Sequence, residues 1–424
     1  MTHVHVRYLI VGGGVAASEA ARAIRSRDAG GSVLLVGQEA TRPYHRPPLS
    51  KQYLSRQSVR ADLSAAPIGF YADQHIELRT GRRATQIDTA RHAVTLDSGE
   101  VIAADAILLA VGSVPKFLKV PGAELPNTFY LRNLDDADRL INAIEKAKNE
   151  GRPHARGKGR AAVVGGGVLG PELAGTLSAL GLHVDLVVAG PYPWWKWVGE
   201  TIGKFAGRAL GAHGVAVHEH VRAARFDGDG RVQRIVLTDG RSLDCDFVVA
   251  ATGVNPNREI LRNTPINAER AILADAFGQT NIPGIFAAGD CAAVFDPLFD
   301  KHRIVDHWDH ARRTGELAGL NMAASLGHGE RVPFSGVTHF TSTLFGLELH
   351  VWGESRLVHH RLVRGHANGE TADVAEIGLA EDGRVVQAAA IGRTGEHAAL
   401  CDLIATRANL TGREESVKDP AVAL

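Results

Sequence analysis

The sequence predicts an α/β protein: two doubly wound βαβ domains, the first split by insertion of the second, and a small C-terminal α/β domain. Three observations carry this. Two stretches each run strand, glycine turn, helix, strand. An apolar strand ending in glycine follows each of them. Short alternating segments and one helix then close the chain. In RYLIVGGGVAASEAARAIRSRDAGGSVLLVGQE, Tyr8–Val11 reads as the first strand and Val33–Val36 as the next. Between them, Gly12-x-Gly14-x-x-Ala17 opens a helix rich in Ala and Arg. Gly12 permits the tight turn, Gly14 lets the backbone approach a pyrophosphate, and Ala17 is small enough for the helix to pack on the sheet. Unpaired N–H groups and the positive dipole end at the helix start suit phosphate. Glu39, 22 residues after Ala17, is an acid placed to bond the ribose hydroxyls of an adenosine.

The pattern recurs in AAVVGGGVLGPELAGTLSALGLHVDLVV. Gly165-x-Gly167-x-x-Gly170 follows the strand Ala161–Val164, and His183–Val188 supplies the next strand. Here the acid is missing: Val188, at the strand end and followed by Ala189, Gly190 and PYPWWKW, stands in its place. No Arg cluster replaces it, and Lys196 is the only nearby base, so preference between NADH and NADPH is open. A structural repeat that binds nothing is the alternative. Trp194, Trp195 and Trp197 beside this turn could clamp a cofactor, dock a partner or pack under the domain, and packing is the default for large apolar rings.

Two dinucleotide folds in one chain suggest FAD in one and a nicotinamide nucleotide in the other. DAILLAVG, ending at Gly112, and DFVVAATG, ending at Gly253, read as strands where the chain crosses between domains. NIPGIFAAGD is another strand, ending in Asp290, which is placed to bond the ribityl chain of a flavin or else to cap a helix over AAVF. The expected domains are 1–117 with 247–328 for FAD, 118–246 for NAD(P)H, and 329–424 for the C-terminal α/β domain. NEGRPHARGKGR, residues 149–160, reads as a solvated loop and TGREESVKDPAVAL as a loose tail.

With 424 residues, 45% of them hydrophobic, the chain can bury a large core. Lys+Arg equal Asp+Glu at 47 each, which leaves no electrostatic case for nucleic acid or an anionic membrane. Cys245, Cys291 and Cys401 are too far apart for a zinc motif or a disulfide framework, and no metal site is expected. Their spacing fits a reducing compartment. With no signal-like N-terminus and no apolar run of membrane-spanning length, a cytoplasmic protein is expected.

PYHRPPLSK, residues 43–51, is harder to place by itself, because prolines and a lysine also suit a surface turn. Together, GGGVAASEAARAIRSRD, RPYHRPPLSKQYL, GGGVLGPELA, FAAGDCA and HWDHARRTGELAGLNM resemble the two-dinucleotide flavoprotein reductases. Within that group they are nearest the ferredoxin/rubredoxin reductases of oxygenase systems and apoptosis-inducing factor. The resemblance runs from about residue 6 to about 325. It implies that Arg46 contacts the FAD diphosphate and that Lys51 sits near flavin N5 with Glu172 as its acidic partner. A fixed ammonium there would favour the reduced flavin, and the carboxylate would keep the lysine charged. The resemblance further places Arg132 on FAD, and His307 and Trp308 over the flavin's inner edge at a helix start.

The chain also departs from the family. Thr341, Ser342 and Thr343 stand where relatives carry an aromatic-Trp-Ser-Asp run. Without a cysteine before Cys245, disulfide-reducing chemistry is disfavoured. The implied activity is oxidation of NAD(P)H through FAD, with electrons passed to a ferredoxin- or rubredoxin-type protein. The rival is a slow, NADH-sensing flavoprotein like apoptosis-inducing factor. A monomer or a homodimer is compatible with either.

Overall fold

The computed structural model describes residues 3–151, 153–154, 157–369 and 371–424, so the basic loop at 149–160 lies partly outside the described residues. The chain divides into two compact units. The first comprises Met1–Arg46, Val59–Val114 and Val254–Gly336, and the second Pro47–Ser58, Pro115–Gly253 and Val337–Leu424.

In the first unit a seven-stranded sheet is centred on His3–Val11, which pairs in parallel with Val33–Gly37 on one side and Val101–Leu109 on the other. Val33–Gly37 is buried along its whole length, as a strand covered on both faces should be. Ile285–Ala287 adds to Val101–Leu109 in parallel, and an antiparallel hairpin, Ala84–Asp88 with Ala93–Leu96, finishes the other edge. The helices Val15–Arg27 and Trp308–Ser325 lie against each other in the same direction. Small residues make the approach possible: a Cβ on Gly315 would lie 2.2 Å from the Ala16 carbonyl oxygen, and one on Gly319 2.3 Å from that of Ala20. Both helix N-termini therefore open at one end of the unit.

The second unit holds a parallel sheet in the order Val215–His218, His183–Val187, Arg160–Val164, Phe247–Ala250, Thr128–Phe129. Its last 88 residues, Val337–Leu424, carry a five-stranded antiparallel sheet and the helix His397–Ala405. The segment after Arg46 packs within this unit, with Leu54 in a core shared by Leu140, Ile144, Val163 and Leu173. The tail is not loose. Glu414–Lys418 is helical, and the buried Arg364 guanidinium donates to the carbonyls of Val417, Asp419, Pro420 and Val422 while paired with Glu396. A buried cation with five donors collects acceptors, and here the tail's backbone supplies them. No helix among the described residues is long and apolar enough to cross a membrane.

Candidate functional site

In the first unit, Gly12 has φ +146°, and a Cβ on it would lie 2.1 Å from the Ala110 carbonyl oxygen, so only glycine fits the turn. Over Gly14 the space is open: a Cβ there would meet nothing within 4 Å. Gly14 is also the N-cap of Val15–Arg27 and offers no side-chain cap. A bare turn, open space and uncapped helix N–H groups are what a pyrophosphate requires, so the residues fit FAD. Ala17 is fully buried under this helix. Glu39, just beyond the second strand, accepts hydrogen bonds from Arg46 at 2.6 Å and from the Tyr44 hydroxyl at 2.6 Å. The proline-rich segment thus begins by fixing the acid of the first nucleotide motif, an orientation that spacing alone did not disclose.

Gly112 follows Val101–Leu109 with φ +68°, and the next hydroxyl, Ser113, donates to Asp290 at 2.7 Å. Asp290 lies in the short 3₁₀ turn Gly289–Cys291, and the following AAVF forms the strand Ala292–Asp296. It therefore caps no helix. The turn abuts both helix starts, because the Gly289 N–H donates to Thr314 at 3.0 Å and a Cβ on Gly289 would lie 3.2 Å from that of Ala16. His307 is the N-cap residue of Trp308–Ser325, extended and without a side-chain capping bond. Trp308 donates its indole N–H to His45 Nδ1 at 3.1 Å, its ring edge-on at 5.3 Å between centroids. Burial pulls His45 below the ordinary histidine value, which keeps Nδ1 available as an acceptor.

In the second unit, Pro47–Ser50 forms a 3₁₀ turn that delivers Lys51 to the first turn of the helix Leu169–Ala179. Lys51 Nζ lies 3.0 Å from Glu172 Oε1. The carboxylate is buried and accepts from Ser342 at 2.9 Å and from Ser50 at 3.0 Å. Thr176 donates to the Ser50 carbonyl at 2.8 Å, which holds the turn against the helix. Ser342 sits in the stretch that departs from the family's aromatic run, and its role here was not visible in the sequence. Arg132 lies beside the capping box at Asn133, where its backbone N–H donates to Asp136 at 2.9 Å.

The second glycine turn repeats the first in backbone geometry. Gly165 has φ +134°, and a Cβ on it would lie 2.2 Å from the Ala251 carbonyl oxygen. At Gly170 a Cβ would lie 1.7 Å from the Gly165 carbonyl oxygen, so the third glycine is obligatory here where Ala17 suffices in the first motif. Gly253 follows Phe247–Ala250 and accepts from the Lys116 N–H at 2.9 Å. The strand registers correct one expectation. Val11 pairs with Val36 and Val164 with Val187, so Val188 matches Gly37, and Glu39 matches Gly190. Val188 is buried with its side chain over Gly166, as Gly37 lies over Gly13, and it is not the place of the missing acid. A strand end read from hydropathy is uncertain by a residue or two, which accounts for the slip.

The tryptophans divide. Trp194 is buried at φ +63°, and its backbone N–H donates to the Gly166 carbonyl at 2.8 Å. Trp195 covers Gly190, and the Trp197 ring covers Gly167. As for thiols, burial pushes Cys291 up to about 12, and Cys245 is buried in the second unit. The Cys291 thiol is therefore no nucleophile at neutral pH. Among the described residues no group of metal-ligating side chains is assembled.

With a glycine turn opening each of two parallel sheets and its buried thiol inert, the fold is that of an oxidoreductase working with FAD and NAD(H). The chain belongs to the pyridine nucleotide-disulphide oxidoreductase family, whose sequence model matches residues 6–315. It is 31% identical over 408 residues to the biphenyl dioxygenase system ferredoxin--NAD(+) reductase component of Paraburkholderia xenovorans, covering 96% of this chain and 94% of that one. It is 32% identical over 367 residues to monodehydroascorbate reductase 2 of Arabidopsis thaliana, covering 82% of each. The solved ferredoxin reductase from Rhodopseudomonas palustris superposes with a TM-score of 0.85 at 28% identity, covering 97% of this chain and 99% of that one.

Proposed function

We propose that the chain is the NADH-oxidising reductase of a short electron-transfer system, delivering electrons to a ferredoxin- or rubredoxin-type protein. The observation that carries this reading is the Lys51–Glu172 pair, a lysine fixed by a buried carboxylate, in a sequence with no cysteine before Cys245. Bound FAD supplies the hydride acceptor and a store of two electrons that can leave singly. In this reading Gly12, Gly14 and Ala17 receive its pyrophosphate, Glu39 and Arg46 its adenosine end, and Asp290 its ribityl chain. Two helix starts, at Gly14 and His307, contribute positive dipole ends, and Trp308, hydrogen-bonded to His45, supplies an aromatic side chain beside the second. Gly165, Gly167 and Gly170 take the nicotinamide nucleotide. Lys51 provides a fixed ammonium that favours the electron-rich form of the cofactor, and Glu172 holds it in place.

Likeness over nearly the whole chain to a ferredoxin--NAD(+) reductase component supports the protein acceptor. A second reading, a small organic one-electron acceptor, is favoured by the likeness to monodehydroascorbate reductase. The slow NADH-sensing alternative draws nothing specific from the comparisons. A cytoplasmic setting is supported by three cysteines without disulfide-framework or zinc spacing, two of them buried.

The test is anaerobic mixing of the FAD-loaded protein with NADH, then with NADPH, following flavin absorbance. Complete bleaching within seconds, followed by rapid reoxidation on adding a [2Fe–2S] ferredoxin, is the expected result. Bleaching over minutes with a persistent long-wavelength band would overturn the reductase reading. Fast reoxidation by monodehydroascorbate alone would select the second acceptor.

A further inference from the structure

The two glycine turns share a backbone but differ in what faces them. Over Gly14 there is open space, whereas over Gly167 the six-membered ring of Trp197 comes within 3.5 Å of where a Cβ would sit. The second glycine of this motif is the one whose bare face admits the pyrophosphate. Trp197 therefore stands where the phosphates of a bound dinucleotide belong. The neighbouring recognition point is covered as well. At Gly190, the counterpart of Glu39, the Trp195 indole lies 2.2 Å from a Cβ position, so an acid there would require the ring to shift.

Both rings belong to one loop, which is tied to the turn it covers. The Trp194 backbone N–H donates to the Gly166 carbonyl at 2.8 Å, the Trp197 backbone N–H to the Trp194 carbonyl at 2.8 Å, and the Gln387 side-chain amide to the Trp197 carbonyl at 2.8 Å. The Trp194 ring is buried in the core, whereas Trp197 is half-buried and meets Phe340 edge-on at 6.4 Å between centroids. The backbone is thus pinned, and the half-buried Trp197 side chain packs at the edge of the second unit's core.

We infer that Trp197 is a gate on the second dinucleotide turn. Its indole closes the turn and must swing aside before a pyrophosphate can settle at the start of Leu169–Ala179. With no acid to bond the ribose, the fraction of chains with the gate open sets nucleotide affinity. This inference rests on reading the turn as the nicotinamide-nucleotide site. Apparent affinity falls in proportion to the open fraction, and minor states of this kind are populated at roughly 0.1–10%.

The experiment compares FAD-loaded wild type, W197F and W197A. NAD+ and NADP+ binding is measured by calorimetry, and KM and kcat for NADH by steady-state turnover. Removing the indole is expected to tighten NAD+ binding and lower the NADH KM by about tenfold or more. W197F, with a smaller ring, is expected to shift both in the same direction by less. Unchanged or weaker NAD+ binding in W197A would overturn the gate, as would absence of NAD+ and NADP+ binding in all three proteins. If W197A does not fold, W197F decides: binding no tighter than wild type refutes the inference. If the variants bind NAD+ more tightly but no protein reduces its flavin, the gate stands and the reductase reading fails.

Discussion

Replacing Glu172 by Gln is the sharpest perturbation of the candidate site, because it removes a charge and almost nothing else. Glu172 Oε1 receives Lys51 and Ser342, and Oε2 receives Ser50. A glutamine can keep its oxygen toward Lys51 and Ser342 and turn its amide nitrogen toward Ser50. The Ser50 hydroxyl then accepts, and its proton goes to the Pro47 carbonyl, 3.4 Å away. The hydrogen-bond inventory is preserved, so the loss is Coulombic. Exposed pairs contribute about 0–1 kcal/mol, and breaking a fully buried one costs about 3–5 kcal/mol. With a buried carboxylate and a lysine side chain 21% exposed, E172Q should cost about 1–3 kcal/mol. Glu172→Ala also strands the lysine and both hydroxyls, which puts its cost near the upper limit of about 5 kcal/mol. Urea unfolding of both variants reads these losses, and anaerobic mixing with saturating NADH reads the site. E172Q should slow flavin reduction by about tenfold, equivalent to about 1.4 kcal/mol. If E172Q matched wild type in both stability and reduction rate, the pair would contribute nothing, and the role given to Lys51 would fall.

Other predictions concern the rest of the chain. Hydrogen bonds from Arg393, then Arg364, pull the Glu396 carboxyl down to about 2 from an ordinary value of 4.5. The unfolded state therefore binds the proton first. Stability on the order of 3 kcal/mol is present above pH 4.5 and lost as pH falls toward 2, and acid unfolding monitored by circular dichroism should show it. Arg364→Ala should cost about 3–5 kcal/mol and open the Val417–Val422 segment to limited proteolysis, which mass spectrometry would locate. Burial, reinforced by Arg303 and Arg313, lowers His310 to about 3, so it is neutral in the folded chain and takes a proton on unfolding below pH 6.5. Stability should fall by about 1.4 kcal/mol per pH unit below that point, and His310→Phe, set edge-on to Phe334, should remove this slope. Gly190→Asp alone should cost about 1–3 kcal/mol through collision with Trp195, whereas combined with Trp195→Ala it should favour NADH over NADPH in competition binding.

Both glycine turns were legible because their requirements are local. The carbonyls of Ala110 and Ala251 crowd Gly12 and Gly165, and a strand before and a helix after are enough to announce that geometry. The pairing of Lys51 with Glu172 came from the family resemblance rather than from spacing. The other partners of that carboxylate were not legible at all. Ser342 lies 170 residues beyond Glu172, and its hydroxyl arrives on a strand of the C-terminal sheet. No periodicity reports such a contact. The tail misled for a related reason: its polar composition suggests solvent, yet its backbone carbonyls satisfy a guanidinium on the strand His360–Asn368. The tryptophans were flagged as packing, which holds for Trp194. Where Trp195 and Trp197 point depends on the left-handed backbone at Trp194, a conformation that a tryptophan does not advertise.

The two nucleotide motifs place their carboxylates differently, and that difference explains why one turn is open and the other roofed. In the first unit Glu39 is anchored by Arg46 and Tyr44, and Asp290 by Ser113, so the acids stand ready-oriented around an open glycine turn. A site built this way suits a cofactor that stays, since its polar partners are already held in place and little ordering remains to be done on binding. In the second unit no acid follows the second strand, and the buried carboxylate at the start of the motif's helix, Glu172, is occupied with Lys51 and two serines. An open, bare glycine turn there would expose apolar surface to water between turnovers. A tryptophan that covers the turn and can rotate away meets that need without competing for Glu172. It suits a nucleotide that must leave after each hydride transfer, because closing the gate helps to displace the product.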